Sequence, residues 1–395
     1  MMTPRNSGRL IVLAAGGTGG HVFPAEALAQ QLLAQGHRLV LVTDKRGTGY
    51  SGTLGLIETH HINAQAIAGQ GVGGLLKGLF ALGQGVLQAR RFLRERDPAA
   101  VVGFGGYAAA PTVLAATQLG IPCVIHEQNA VLGRANRLLA RRVDRVCTSF
   151  DLVRPVPGDA TVIRTGMPVR PTVAAQRAVP YVMPAADGPF RVLILGGSQG
   201  AKIFSDVIPA AVKLLPEALR RRLEISQQCR PEELDRTHAA YTEAGVHVQL
   251  RHFFDNVPEL LANAHLLIAR SGASTVAEAG VIGRPSLLVP YPFAADDHQT
   301  ANAQALVAAG GAWMMRQPQF TAEALAQRLT ACAAAPHGLV EAAAAARAFC
   351  LPDAAARLAE VVTALIHGEN GGRAPARPGV PSASISTHSM KRGIV

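Results

Sequence analysis

One pattern constrains this chain more than any other, and it occurs twice. A short apolar run leads into a glycine-rich turn, and a helical stretch follows at once. Residues 10–15 run into Gly16-Gly17-Thr18-Gly19-Gly20, and residues 191–195 run into Gly196-Gly197-Ser198-Gln199-Gly200. Glycine permits the tight reversal and lets backbone approach a ligand closely. A helix that starts there aims its unpaired N–H groups and the positive end of its dipole back at the turn. Further apolar runs follow each opening unit, at 37–43, 100–104, 122–126, 145–149 and 160–164, and then at 223–227, 247–252, 265–269 and 285–289, with helix-length stretches between them. Alternation of this kind predicts a parallel sheet with helices on both faces, and the restart predicts two such sheets.

The expected fold class is therefore α/β, with two Rossmann-like, doubly wound parallel-sheet domains facing a cleft. The first domain is expected at 8–168 and the second at 190–345. A linker at 169–189 carries Pro171, Pro180 and Pro184. A helical segment at 346–366 is expected to pack back towards the first domain. A Gly-, Pro- and Ser-rich tail at 367–395 is expected to be disordered. The first helix is expected over about 24–35, with Pro24 in its first turn, Leu28 and Leu32 on one face, and Gly36 as its stop. A second is expected from Gly200 to about Leu219. Hydrophobic residues at 49% against 16% charged supply enough apolar surface for two cores and argue against general disorder.

Composition also narrows the setting. The run at 10–15 is too short for a signal peptide, and no run of about 20 apolar residues marks a membrane span. Five cysteines without a CxxC pair argue against zinc and a disulfide framework, and a reducing cytoplasm is the simplest reading. The formal charge of +11 suits an anionic partner, whether nucleic acid, a phosphorylated substrate or an anionic membrane, and does not choose among them.

In open α/β sheets ligands bind beyond the C-terminal ends of the strands, and the polar clusters of this sequence collect there. The first glycine turn does not match a dinucleotide loop, because its frame Gly17-x-Gly19-x-x-Val22 lacks the third glycine. Asp44, at the end of the next strand, nevertheless sits where a ribose-binding acid would. His21 admits two readings: a base for an attacking hydroxyl near neutral pH, or a helix-end contact to phosphate. Gly103-Phe104-Gly105-Gly106-Tyr107 and His126-Glu127-Gln128-Asn129 end two further strands. Neighbours on a strand point to opposite faces, so His126 and Glu127 do not suggest one metal site. Recognition of sugar hydroxyls by Glu127, Gln128 and Asn129 is more plausible.

The richest segment is Arg270-Ser271-Gly272-Ala273-Ser274-Thr275-Val276-Ala277-Glu278, where a helix is expected to begin near Ser274. Glu278, one turn in, suits both hydroxyls of a ribose, and it also fits a capping box with Thr275. Asp296-Asp297-His298 reads as a solvated loop in preference to a metal site, and Gln299 and Asn302 open the next helix, where sugar hydroxyls are within their reach. No serine–histidine–acid triad is apparent in the sequence.

Taken in order from about residue 10 to about residue 365, these segments resemble the MurG family of UDP-N-acetylglucosamine-dependent glycosyltransferases. The segments are Gly16 to His21 with Phe23-Pro24, His126 to Asn129, Gly196 to Ala201, Arg270 to Glu278, and Gln299 to Asn302. The resemblance implies a GT-B fold with the donor held mainly by the second domain. It implies inverting transfer of N-acetylglucosamine from UDP-GlcNAc to the C4 hydroxyl of MurNAc in undecaprenyl-pyrophosphoryl-MurNAc-pentapeptide, the step from lipid I to lipid II. By position it makes His21 and Glu127 catalytic. It places Thr18, Gly19, Gly20, Asn129, Arg170, Ser198, Phe254, Ala273, Ser274, Thr275, Val276, Ala277, Glu278 and Gln299 at the donor, with Phe254 meeting uracil through its backbone. It sets Tyr107, His126 and Gln128 on the acceptor side. The chain reads Gly166-Met167-Pro168 where the family often has Asn before the Pro.

The resemblance implies neither metal nor cofactor, UDP-GlcNAc being a substrate. The implied partners are lipid I, the anionic cytoplasmic surface of the bacterial inner membrane, and other proteins of cell-wall synthesis and division, with no nucleic acid. Peripheral location on that membrane face follows. A helix over about 75–96 fits this, with Leu75, Leu79, Leu82 and Val86 as a core face. Leu76, Phe80 and Leu87 form a second stripe beside Lys77, Arg90, Arg91 and Arg94. That stripe suits an anionic membrane or a second buried face. A UDP-GlcNAc 2-epimerase of similar architecture is the alternative, with a nicotinamide oxidoreductase behind it.

Overall fold

The computed structural model describes residues 8–16, 19–44, 52–64, 72–106, 108–154, 156–157, 160–197 and 200–368, with backbone alone at 72–77 and 79. The first domain contains β1 (Leu10–Ala14), α1 (Gly19–Ala34), β2 (Arg38–Thr43), β3 (Glu58–His61), α2 (Val72–Arg96), β4 (Ala100–Gly103), α3 (Ala109–Leu119), β5 (Cys123–Glu127), α4 (Arg134–Leu139), β6 (Arg145–Thr148) and β7 (Thr161–Arg164). Its seven strands are all parallel, in the order β3-β2-β1-β4-β5-β6-β7. Leu13, Val102 and Val124 on these strands are fully buried, as apolar runs covered by helices on both faces must be.

After α5 (Pro171–Ala175), the second domain runs through β8 (Phe190–Leu195), α6 (Lys202–Lys213), α7 (Glu217–Arg220), β9 (Leu223–Gln228), α8 (Leu234–Glu243), β10 (Val248–Arg251), α9 (Val257–Asn263), β11 (Leu266–Ala269), α10 (Ala273–Ile282), β12 (Ser286–Leu288), α11 (His298–Ala308), β13 (Ala312–Met314), α12 (Ala322–Ala334) and α13 (His337–Phe349). Its six parallel strands follow the order β10-β9-β8-β11-β12-β13. In each sheet the order reverses beside the first strand, between β1 and β4 and between β8 and β11. Both glycine turns lie at these switch points, where a crevice opens. The turns after β1 and β4 interlock, since the Gly16 N–H donates to the Gly105 carbonyl at 3.0 Å. Gly106, at φ +80°, has no room for a side chain: a Cβ there would lie 2.5 Å from the Cα of Gly16.

Several expectations change. Helix α1 starts at Gly19 and not near Pro24, so Pro24 lies inside the helix. The expected helix to Leu219 stops at Lys213 and restarts as α7 after Pro216. Strands β3 and β13 went unread, because Glu-Thr-His-His is polar and Ala-Trp-Met is only three residues long. The linker holds α5, whose Val173 is fully buried in the core of the second domain. Helix α13 runs across the expected boundary at residue 345. The last helix, α14 (Ala354–His367), returns to the first domain. There Leu358 and Val362 share a core with Leu28 and Leu32 of α1, each burial being worth about 1.5–3 kcal/mol. The chain thus crosses between the domains twice, near 166–170 and near 349–353. Of the tail, 369–395 lies outside the described residues. Among the described residues no helix is long and apolar enough to cross a membrane.

Candidate functional site

A cavity of about 700 Å³ lies between the C-terminal edges of the two sheets. Four helices open onto it: α1 through Gly19 and Gly20, α6 through Ala201 and Lys202, α10 through Ala273 to Thr275, and α11 through His298 and Gln299. Lys202, Arg230 and Arg270 line it, and none of its described lining residues is acidic. Helix N-termini together with cations make a site for a polyanion.

The N-terminus of α10 settles one open alternative. Gly272 is the cap, at φ −60° and ψ 146°, and no side chain bonds at that end. The first backbone bond of the helix runs from Val276 N to the Gly272 carbonyl at 3.1 Å. The Thr275–Glu278 capping box does not form, because both residues lie inside a helix that begins at Ala273. The amides of Ala273, Ser274 and Thr275 have no carbonyl partner within the helix, and all three residues line the cavity. Val276 and Ala277 are buried at 0% and 2% exposure, so their side chains belong to the packing of α10.

Glu278 is not among the residues lining the cavity and meets the linker. The Arg170 guanidinium donates to its Oε1 at 3.3 Å and sits 4.9 Å from the centre of the Phe23 ring on α1. Burial raises the Glu278 pKa, and Arg170 opposes the rise. The pair joins both domains and the linker. Arg270 is buried and donates to the carbonyls of Val289 (3.1 Å) and Pro290 (3.0 Å) and to Gln317 Oε1 (2.7 Å). It thereby holds the loop in which Tyr291 N donates to Gln299 Oε1 at 2.9 Å. With its oxygen taken, Gln299 has its amide N–H groups left for a ligand. Phe254 is 5% exposed, which leaves its backbone as its polar surface.

On the first domain, His21 projects from α1 beside Gly105 and lines the cavity. Its Nδ1 lies 3.2 Å from Gln128 Oε1. Burial lowers its pKa, while the bond to Gln128, the charge of Glu127 and the Phe104 carbonyl pull the other way. A neutral imidazole of this kind is able to accept a proton.

Two expectations for β5 are corrected. His126 does not face an acceptor: it is fully buried, its Nε2 donates to the Gly166 carbonyl at 3.0 Å, and burial pushes its pKa down to about 4. Glu127 is not a free base. Its Oε1 accepts from Asn129 N (3.0 Å) and Nδ2 (3.2 Å), and its Oε2 accepts from Gly133 N and Asn136 Nδ2, both at 2.8 Å. Four donors saturate the carboxylate, which organises the loop that carries Gln128 and Asn129 into the cavity. Asn302 is likewise not a sugar contact. It is fully buried, and its Oδ1 accepts from Ala130 N at 2.8 Å. Its Nδ2 donates to Asn129 Oδ1 and to the Ser271 carbonyl, both at 3.1 Å.

Gly19, Gly20, Gln128, Asn129, Ala273, Ser274, Thr275 and Gln299 are therefore brought together with His21 around the cavity. Thr18, Tyr107 and Ser198 lie outside the described residues. Sequence reasoning missed Lys202 and Arg230, although each follows a strand end closely, where the switch-point rule directs attention. Among the described residues no group of three or more potential ligands could hold a metal. Asp296 pairs instead with Arg134 of α4 at 3.5 Å, and Asp297 accepts from the Thr300 hydroxyl at 2.7 Å. On α2, Phe80 and Leu87 are 70% and 68% exposed, so that stripe is not a second buried face. The side chain of Leu76 lies outside the described residues.

Comparison with known proteins agrees with this geometry. Residues 11–148 match the glycosyltransferase family 28 N-terminal domain and residues 191–358 the family 28 C-terminal domain. A protein of Paramagnetospirillum magneticum named UDP-N-acetylglucosamine–N-acetylmuramyl-(pentapeptide) pyrophosphoryl-undecaprenol N-acetylglucosamine transferase is 56% identical, over 92% of this chain and 98% of its own. The protein of that name from Rhodospirillum rubrum is 54% identical over 90% and 91%. The crystal structure of Acinetobacter baumannii MurG superposes with a TM-score of 0.73 at 33% identity, covering 90% of this chain and 99% of that one. A Neisseria meningitidis UDP-GlcNAc 2-epimerase shares the fold, with a TM-score of 0.65 at 14% identity over 90% of this chain and 99% of its own. With both sheets, the cavity between them and these relatives in agreement, the chain belongs to the MurG family of GT-B glycosyltransferases.

Proposed function

We propose that this chain transfers N-acetylglucosamine from UDP-GlcNAc to the C4 hydroxyl of MurNAc in undecaprenyl-pyrophosphoryl-MurNAc-pentapeptide, with inversion. The observation that carries the reading is the division of the cavity. Three of the four helix N-termini, and the cations, gather on the second domain, and an uncharged histidine faces them from the first. In the reaction the acceptor oxygen forms a bond to the anomeric carbon and the bond from that carbon to the diphosphate breaks. The electron pair leaves with UDP, and the hydroxyl proton passes to His21. The amides of Ala273 to Thr275 with Lys202, Arg230 and Arg270 stabilise the departing diphosphate, a role that a metal fills in other transferases. The site therefore operates without a divalent cation. Glu278, Arg170, Asn129 and Gln299 hold the donor nucleotide and sugar, directly or by fixing the loops that do.

The acceptor's lipid places the reaction at the cytoplasmic face of the inner membrane. The exposed Phe80 and Leu87, with Arg91 and Arg94 on the same helix, form the docking surface there. The test is an assay of labelled UDP-GlcNAc with a short-chain lipid I analogue in the presence of a chelator. A labelled disaccharide lipid is expected. UDP-ManNAc formed from the donor alone would favour the epimerase, and no transfer would overturn the reading.

A further inference from the structure

We propose that Gln128 is a positioning residue that fixes the tautomer of His21, as the last link of a hydrogen-bond chain that begins at the Gly166 carbonyl between the domains. The inference rests on the reading of His21 as the proton acceptor and adds what sets that acceptor's polarity.

Each link has only one sense. A carbonyl accepts and never donates, so the His126 Nε2 that lies 3.0 Å from the Gly166 carbonyl carries its hydrogen. His126 Nδ1 is then the unprotonated nitrogen, and it faces Gln128 Nε2 at 3.3 Å. The Gln128 amide cannot be reversed, because its Nε2 also donates to the Phe104 carbonyl at 2.8 Å. An oxygen in that place would meet the Phe104 carbonyl and the His126 lone pair at once. Gln128 therefore presents Oε1 to His21 Nδ1 at 3.2 Å, and Nδ1 must hold the hydrogen. The lone pair of the imidazole is left on Nε2, and a neutral histidine with one committed nitrogen has its other nitrogen as its base.

The chain is robust where it is buried. Protonation of His126 would set two N–H groups against each other at Gln128, and burial holds His126 neutral down to about pH 4. The other ionisable groups around His21 are Glu127 on β5 and, across the cavity, Lys202, Arg230, Arg270 and His298. Gln128 is the described side chain bonded to Nδ1, and the Phe104 carbonyl that also bears on His21 is the oxygen that orients the Gln128 amide. Gly166 itself is fixed by its surroundings. It has φ +85°, and a Cβ there would lie 2.9 Å from Leu351 Cβ and 3.1 Å from Ala354 Cβ, where the chain crosses back into the first domain. The polarity of the base is thus referred to the interdomain crossing.

The experiment compares wild type, Gln128→Met, Gln128→Glu and His21→Ala, using the imidazole ¹⁵N shifts of histidine-labelled full-length protein together with pH–rate profiles. Wild type is expected to show His21 with Nδ1–H and a bare Nε2, and the opposite tautomer overturns the proposal without any variant. Gln128→Met keeps the shape and removes the bond to His21 along with those to Phe104 and His126. It is expected to mix the tautomers and lower kcat about 10- to 100-fold, part of the roughly 10²–10⁴ that a positioned base supplies, with little change in KM for UDP-GlcNAc. Gln128→Glu keeps an acceptor at Nδ1 while its second oxygen opposes the Phe104 carbonyl, so it is expected to keep the Nδ1–H tautomer, recover kcat only in part, and move the acidic limb of kcat/KM upward. In Gln128→Met, a fall in kcat with an unchanged tautomer, or no fall, refutes the positioning role. His21→Ala with full turnover would instead refute the base reading itself.

Discussion

Glu127→Gln separates two roles that a carboxylate at the end of β5 could play. The substitution keeps the shape and exchanges one oxygen for an NH₂ group. In the native loop both oxygens are used, Oε1 by the main chain and side chain of Asn129 and Oε2 by Gly133 N and Asn136 Nδ2. Glutamine has a single oxygen, so whichever way it turns, two donors lose their acceptor and face a third. Hydrogen bonds to a charged group contribute about 1.5–3 kcal/mol each, so the loss of two at this 2%-exposed position is expected to cost at least ~3 kcal/mol. At about 2–4 °C per kcal/mol for a domain of this size, the first domain should melt roughly 6–12 °C lower.

Calorimetry of the full chain, with hydrogen exchange at the Gly133 amide, measures this directly. Faster exchange at Gly133 with a lowered midpoint is the expected result. Turnover measured well below that midpoint should fall modestly and through both kcat and KM, because the loop bearing Gln128 and Asn129 loosens. A midpoint within about 1 °C of wild type with kcat down 100-fold would refute the reasoning. It would mean that the four donors cost nothing to orphan and that the carboxylate takes part in the chemistry.

Three further outcomes follow from the same geometry. Because burial holds His126 at about 4, below its ordinary value, the unfolded chain takes up that proton first as pH falls. Stability contributed by neutral His126 should be complete above about pH 6.5 and decline towards pH 4, by about 3 kcal/mol at 1.36 kcal/mol per unit. Denaturant titrations of His126→Gln, which keeps a donor for Gly166, should show a shallower decline, and an equal slope would contradict the burial argument. Asn302→Ala should loosen the closed arrangement by about 1–3 kcal/mol, read as a larger radius in small-angle scattering and a lower kcat/KM, and no change in either would make the interdomain bonds inert. Phe80→Asp with Leu87→Asp should lose the low-salt pelleting with anionic vesicles expected of wild type, with transfer to a soluble lipid I analogue kept. Wild type that stays in the supernatant would remove the patch from the membrane reading.

The fold was legible because its signals are local. Buried strands such as Leu10–Ala14 are apolar on both faces, and the turns beside them need glycine at positive φ, as at Gly105, Gly106, Gly197 and Gly200. The cavity's composition was partly legible for the same reason, since helix starts announce themselves after such turns. The partners of individual polar residues were not. Alternation along β5 correctly sends His126 and Glu127 to opposite faces, yet it does not reveal that Gly166 closes over one and residues 129–136 fold over the other. Thr275 and Glu278 have the spacing of a capping box, and only the position of Gly272 decides that the helix begins earlier. Arg170 and Glu278 are 108 residues apart, and Asn129 and Asn302 are 173 apart. Nothing near any of them in sequence marks the other.

Those long-range pairs explain how two separate sheets can serve one reaction. A base on the first domain and an anion site on the second are useful only if the distance between them is fixed to a fraction of an ångström, and a hinge by itself does not fix it. Here the ties are on the same polar segments that line the cavity. Asn302 bonds the Ser271 carbonyl, just before the α10 N-terminus, and it bonds Asn129 and Ala130, just after Gln128. Arg170 joins Glu278 of α10 to Phe23 of α1, two residues beyond His21. The α10 N-terminus and His21 thus each lie two residues from a group tied across the cleft, Ser271 for the one and Phe23 for the other. Any movement that parts the two domains must break those bonds and with them the alignment of the two sides of the cavity.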